Sequence, residues 1–242
     1  MLAALGIGSD DWFVCVHVRT SYFHGDKASF RNANFNNYYL AIDYLLSLGA
    51  KVVRLGDPDL NIDSYSRNGL IDYPSTAFKS EAMDLFLIKN CNFFIGTQSG
   101  ILDTAFLFKT PTLCVNAIHF DLRSANLLDR ILYKHVVDKN TNKILSIQEC
   151  IDNFDLILHP DWQANFEFTE NTELEILDAT VEFLENLRSP KTPSRRQGAV
   201  RRKIIRKRLQ HSVNNGEIPS FFAASIAFSR CQLADSQLGE YA

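Results

Sequence analysis

Phe93-Phe94-Ile95-Gly96-Thr97-Gln98-Ser99-Gly100 begins as a short apolar run and breaks at a polar turn between two glycines. Apolar residues then resume at Ile101, Leu102, Ala105, Phe106 and Phe108, a helical spacing. The pattern reads as a buried strand, a tight turn and a helix. A helix start of this kind aims unpaired backbone N–H groups into a crevice and carries partial positive charge, which suits phosphate. The hydroxyls of Thr97 and Ser99 either cap the helix or donate to a ligand. Taken alone, the stretch fits an ordinary strand-to-helix turn with a serine cap equally well.

Outward from it, the chain spells alternating strands and helices. Trp12 to Val18 is apolar and rich in β-branched and aromatic residues, as in a central parallel strand. Tyr38 to Leu48 has helical spacing and ends at Gly49. Lys51 to Leu55 is a strand stopped by Gly56-Asp57-Pro58, and Ile71 to Tyr73 a short strand. Met83 to Lys89 is a short helix capped by Ser80, with Asp84 in its first turn; Pro111 to Asn116 is a further strand. The series predicts a doubly wound parallel α/β domain over residues 1–187. Leu122 to Leu132 reads as helical, and a strand is expected near Leu156 to Leu158. Thr172 to Leu187 is an amphipathic helix whose apolar side is expected to centre on Leu174, Leu177, Val181 and Leu184, leaving Ile176 partly exposed.

Composition bounds the rest. The chain has 242 residues, 46% hydrophobic and 22% charged, enough for a sizeable core. No apolar run reaches the roughly 20 residues that cross a bilayer, and the apolar start lacks the basic residues of a signal peptide. Five scattered cysteines without metal-ligand spacing predict reduced thiols in a cytoplasmic protein. The six histidines are isolated, so no metal and no cofactor is expected. Net charge is -3, yet residues 1–187 carry 14 Lys/Arg against 25 Asp/Glu, and residues 188–242 carry 11 against 3. The second segment reads as a basic linker and helical tail. Arg195 to Arg208 holds eight Lys/Arg, no acid and no aromatic residue. That composition suits an anionic membrane surface, or a solvated helix packed on the acidic domain, and gives no support for base stacking with nucleic acid.

Polar residues cluster where three strands end. His17 and Arg19 lie two apart at the end of the first strand and share a face. Gly56 and Asp57 end the second, where a ribose or base contact is expected, and Thr97 to Gly100 end the fourth. Ligands of doubly wound sheets bind at these carboxyl ends. A cation, a helix start and hydrogen-bonding side chains there predict a site for a diphosphate attached to a nucleoside or sugar. Arg19 is the first candidate for the diphosphate, since a guanidinium grips it bidentately and stays charged. His17 would orient Arg19 or donate to phosphate. Gln98 is a further contact, and Arg31, Asn32 and Asn34 belong to a long polar loop that could close over donor or acceptor. Ser80 and Asp84 most simply form a helix cap and first-turn charge, with donor contact as the alternative.

Val14-Cys15-Val16-His17-Val18-Arg19, Arg31-Asn32-Ala33-Asn34, Asn37-Tyr38, Val53 to Pro58, Ile71-Asp72-Tyr73, Met83-Asp84 and Phe94 to Gly100 occur in the order seen in a bacterial family of glycosyltransferases, which the chain resembles. Asn171-Thr172-Glu173 and Ile218-Pro219-Ser220-Phe221 also look like that family's tail. The strand end His17-Val18-Arg19 is similar to the His-x-Arg-x-x-Asp of GT-B fucosyltransferases, although Tyr22 stands where the aspartate would fall. The resemblance implies the carboxyl-terminal, nucleotide-sugar-binding half of a GT-B-like, metal-independent glycosyltransferase. It would act on a saccharide or lipid-linked acceptor in surface polysaccharide or glycolipid synthesis, in the cytoplasm or on the inner membrane face. Members of the family extend further at the amino end, so the acceptor domain is expected on a missing segment or a partner chain. Two other readings stand beside it: a non-catalytic nucleotide-sugar-binding module, and a different saccharide-modifying transferase such as a pyruvyl transferase.

Overall fold

A computed structural model describes residues 2–20, 30–60, 62–118, 128–192, 194–214 and 232–233. The strand of the opening stretch, β4 (Phe93–Gly96), is buried along its whole length and pairs in parallel with β1 (Phe13–His17) and β5 (Thr112–Ala117). On its other edge β1 pairs with β2 (Lys51–Leu55), which pairs with β3 (Leu70–Asp72). β6 (Arg130–Tyr133) follows β5, and the two-residue β10 (Gln232–Leu233) follows β6. β7 (His135–Asp138), β8 (Lys143–Ile144) and β9 (Phe166–Thr169) form a separate antiparallel sheet. The main sheet is parallel throughout, in the order β3-β2-β1-β4-β5-β6-β10. This is a Rossmann-like order, and the direction of winding reverses between β1 and β4.

Alternate strand residues feed two cores, as the two-residue period demands. Val14, Val16, Phe93, Ile95, Leu113 and Val115 face α1 (Tyr39–Ser47) and α6 (Glu173–Arg188). Phe13, Cys15, Val53, Phe94 and Cys114 face α2 (Glu81–Asn90) and α3 (Gly100–Phe108), with α4 (Ile147–Asp152), α5 (Phe154–Ile157) and α7 (Arg195–Asn214) on the same side. Ile204 of α7 is fully buried in that second core. Gly96 ends β4 where a Cβ would lie 2.9 Å from the His17 carbonyl oxygen and 2.6 Å from the Phe94 ring. Any side chain there would push β4 away from β1.

Several expectations are corrected. Residues 122–127 of the expected helix Leu122–Leu132 lie outside the described residues, and its end falls in the strand Arg130–Tyr133. Arg130 and Lys134 frame that strand and hide its apolar run, although both are buried. Leu156–Leu158 is not a strand, since Phe154–Ile157 is one helical turn. On α6 the phase is wrong: Ile176 is fully buried and Leu174 is 64% exposed. The packed face is built from Ile176, Ala179, Thr180, Phe183 and Leu184, and its small residues let α6 lie close to α1 and the sheet. No helix among the described residues is long and apolar enough to cross a membrane.

Candidate functional site

At the reversal point the chain leaves β1 through Val18 and Arg19 and leaves β4 through Thr97. Thr97 is fully buried and joins the two exits: its N–H donates to the His17 carbonyl (3.1 Å), and its hydroxyl accepts the Arg19 N–H (2.8 Å). Ser99 caps α3, its hydroxyl accepting the Leu102 N–H at 3.3 Å. The same oxygen lies 3.3 Å from His17 Nδ1. Beside them opens a cleft of about 460 Å³ lined by His17, Arg19, Gly56, Asp57, Ser99 and Gly100, with Val18, Thr20, Pro58 and Ile101 completing the wall. All three strand-end clusters contribute to this one cleft.

His17 is its most constrained member. The residue is only 6% exposed, and its Nε2 makes no hydrogen bond with the described residues. Burial, then the charges of Lys79, Arg54 and Arg19, push its pKa down to about 4, so the imidazole is neutral at neutral pH. Gly56 has φ +113°, and a Cβ there would stand 3.0 Å from His17 Cδ2 and 3.3 Å from Nε2. Glycine therefore satisfies the turn and leaves the Nε2 edge uncovered.

Around this centre the remaining candidates separate. Arg19 Nε donates to Asn32 Oδ1 (3.3 Å), and the Asn32 carbonyl accepts from the buried Lys134 ammonium (2.7 Å), so Asn32 holds the arginine. Asn34 caps a short 3-10 turn, Phe35–Tyr38, by accepting the Asn36 N–H, and its own N–H donates to Glu170. Arg31 is exposed and outside the cleft wall. Gln98 accepts the Ile118 N–H (2.7 Å), tying the turn to the end of β5. Asp57 accepts the Asp59 N–H through its carboxylate and the Arg54 Nη1–H through its carbonyl. Ser80 caps α2 by accepting the Met83 N–H, and Asp84 pairs with Lys79; neither lines the cleft.

Sequence reasoning gave no role to Lys79, Arg54 or Lys134. Arg54 is 1% exposed, pairs with Asp72 and leaves Nη2 without a hydrogen-bond partner among the described residues. The signal for it was present, an arginine inside the apolar strand Lys51–Leu55. Lys134 is buried, which lowers its pKa against the opposing pull of Glu170. No group of three or more His, Cys, Asp or Glu gathers into a metal-binding set among the described residues. The arrangement is suited to an anion: a neutral ring edge, an arginine, a helix start and a surplus of nearby cations. Comparison with family models, with curated proteins and with solved structures returned no match to this chain.

Proposed function

We propose that this chain is the donor-binding half of a GT-B-like, metal-independent glycosyltransferase, acting in surface polysaccharide or glycolipid synthesis at the cytoplasmic side of the membrane. The observation that carries the reading is the meeting of His17 and Arg19 from β1 with Ser99 and Gly100 of α3 in one cleft, at the point where the sheet reverses. The diphosphate of a nucleotide sugar would take the amides of the α3 start and the guanidinium of Arg19. When the bond between the anomeric carbon and the diphosphate oxygen breaks, that oxygen gains negative charge. A fixed cation stabilises this state more than the ground state.

His17 serves here as a neutral donor. In the tautomer with the ring proton on Nε2, the Ser99 hydroxyl donates to Nδ1 while accepting from Leu102, and the ring N–H faces the cleft. A ring protonated on Nε2, with its pKa near 4, does not act as the base that activates the acceptor. That group belongs to the acceptor side of the enzyme.

Calorimetric titration with UDP, GDP and CMP sugars tests the reading. Binding of one of them, unchanged by a metal chelator, is expected; a folded chain that binds none overturns it. Turnover by the chain itself would exclude the non-catalytic module, whereas binding with turnover only on addition of a partner chain would favour it. The mass of the product separates a glycosyl from a pyruvyl transfer.

A further inference from the structure

Helix α7 is held by one seam and offers the other side to solvent. Ile204 is fully buried and Gln197 is 4% exposed, while Val200 and Ile205 pack partly against the same core. At about 100° per residue, Arg202 and Arg206 fall within about 20° of Arg195, on the line opposite Ile204. All three are exposed, and none has an ion pair or hydrogen bond among the described residues. Arg202 leans back over Gly198, its Nη1 3.3 Å from where a Cβ would stand. The result is a straight row of guanidinium groups about 16 Å long.

The start of α7 is also electrostatically unsatisfied. α4 and α6 begin with capping boxes that use a glutamate, Ser146 with Glu149 and Thr172 with Glu175. α7 begins with the same reciprocal pair built from Ser194 and Gln197, an amide in place of the carboxylate. Its first turn carries Arg195 and Arg196 and no acid, so cations sit at the positive end of the helix dipole. An external anion lying along the row would relieve both.

We propose that this row docks the protein on an anionic lipid surface, with headgroup phosphates paired to Arg195, Arg202 and Arg206. The apolar seam is already buried inside, so the helix does not insert and the contact is electrostatic. α4 and α5 flank α7 through Lys203 with Gln148 and His211 with Asp155. The exposed carboxylates of Asp152 and Asp155 stand on those flanks. A plane of headgroups touches only the outermost row and keeps away from these acids. A nucleic-acid groove would wrap the helix and press phosphates against them, and the basic stretch Arg195 to Arg208 has no aromatic residue on which a base could stack.

The test is co-sedimentation of the full chain with vesicles of phosphatidylcholine alone or mixed with phosphatidylglycerol. Binding only to the mixed vesicles, weakened by salt, is expected. R195Q/R202Q/R206Q should reduce it by about 100-fold, roughly 5-fold per charge. K89Q/K109Q/K51Q, which removes the same charge elsewhere, should bind nearly as the wild type. Circular dichroism confirms that both variants fold, and nucleotide-sugar affinity should be the same in all three proteins, which keeps this inference separate from the donor-site reading. Equal binding to both vesicle types, equal loss in the two variants, or tighter binding to duplex DNA than to the mixed vesicles at the same salt would each overturn it.

Discussion

Where β5 and β6 end, Asn116 and Asn171 close on each other. Each backbone N–H donates to the other's side-chain carbonyl, at 3.1 and 2.8 Å. Asn116 Nδ2 donates to the Tyr38 hydroxyl, Asn171 Nδ2 to the Tyr133 carbonyl, and Asn37 to the Asn171 carbonyl. Where β1 and β4 end, on the same edge of the same sheet, His17 presents an unmatched nitrogen to an open cleft. Both clusters are polar and both contain residues nine-tenths buried or more. What separates them is where the hydrogen bonds go. The first satisfies itself and holds the molecule shut; the second leaves its donors for something else.

Substitutions on the two sides should therefore fail in opposite ways. The largest effect is expected from Asn171→Ala, which takes the acceptor from the buried Asn116 N–H and the Nδ2 donor from the Tyr133 carbonyl. With roughly 1–3 kcal/mol for the unpaired N–H and about 1 kcal/mol for the other lost bond, stability should fall by about 2–4 kcal/mol. Urea unfolding would measure this, and donor affinity of the folded fraction should be retained.

Acid comes next. The unfolded chain protonates His17 near pH 6.5, whereas the folded chain resists until about pH 4. Stability from this group is thus full above 6.5 and is lost as pH falls towards 4, by about 3 kcal/mol. Unfolding at pH 7 and pH 4, in wild type and in His17→Gln, should show this slope only in the wild type.

Arg19→Ala should weaken diphosphate binding by about 2 kcal/mol, read by calorimetry, with little change in the melting temperature. The smallest effect is expected from Ser80→Ala, a lost cap worth about 1 kcal/mol of stability with donor affinity untouched. A drop in affinity there would return Ser80 to the site and blur the contrast.

The sheet was legible because its central strands are short apolar runs bounded by glycine, proline and polar turns. The three clusters were legible because a residue at a strand end has few places to point. Other features were hidden by residues doing something unlike their average behaviour. Arg130 and Lys134 are buried at the margins of β6, and α6 packs through Ala179 and Thr180 with Asn186 buried behind them. Asn116 adopts φ +55° inside a strand, where asparagine is a poor strand former. Its role depends on Asn171, 55 positions away, and no local pattern announces such a pair. The division of the polar residues into cleft wall and local caps was legible in part: Ser80 reads as a cap and is one, whereas Asn34 and Gln98 were expected at the site and serve local structure.

Arg54 carries a last consequence. Its guanidinium is tied to Asp72 at the end of β3 and to the Asp57 carbonyl on the cleft wall. Widening the mouth on that side would strand a buried ion, so the wall is stiff in the absence of any guest. A rigid mould of this kind surrenders little conformational entropy when it is filled, and it rejects by shape: a molecule too broad for the cleft meets, on the Asp57 side, a wall that does not yield.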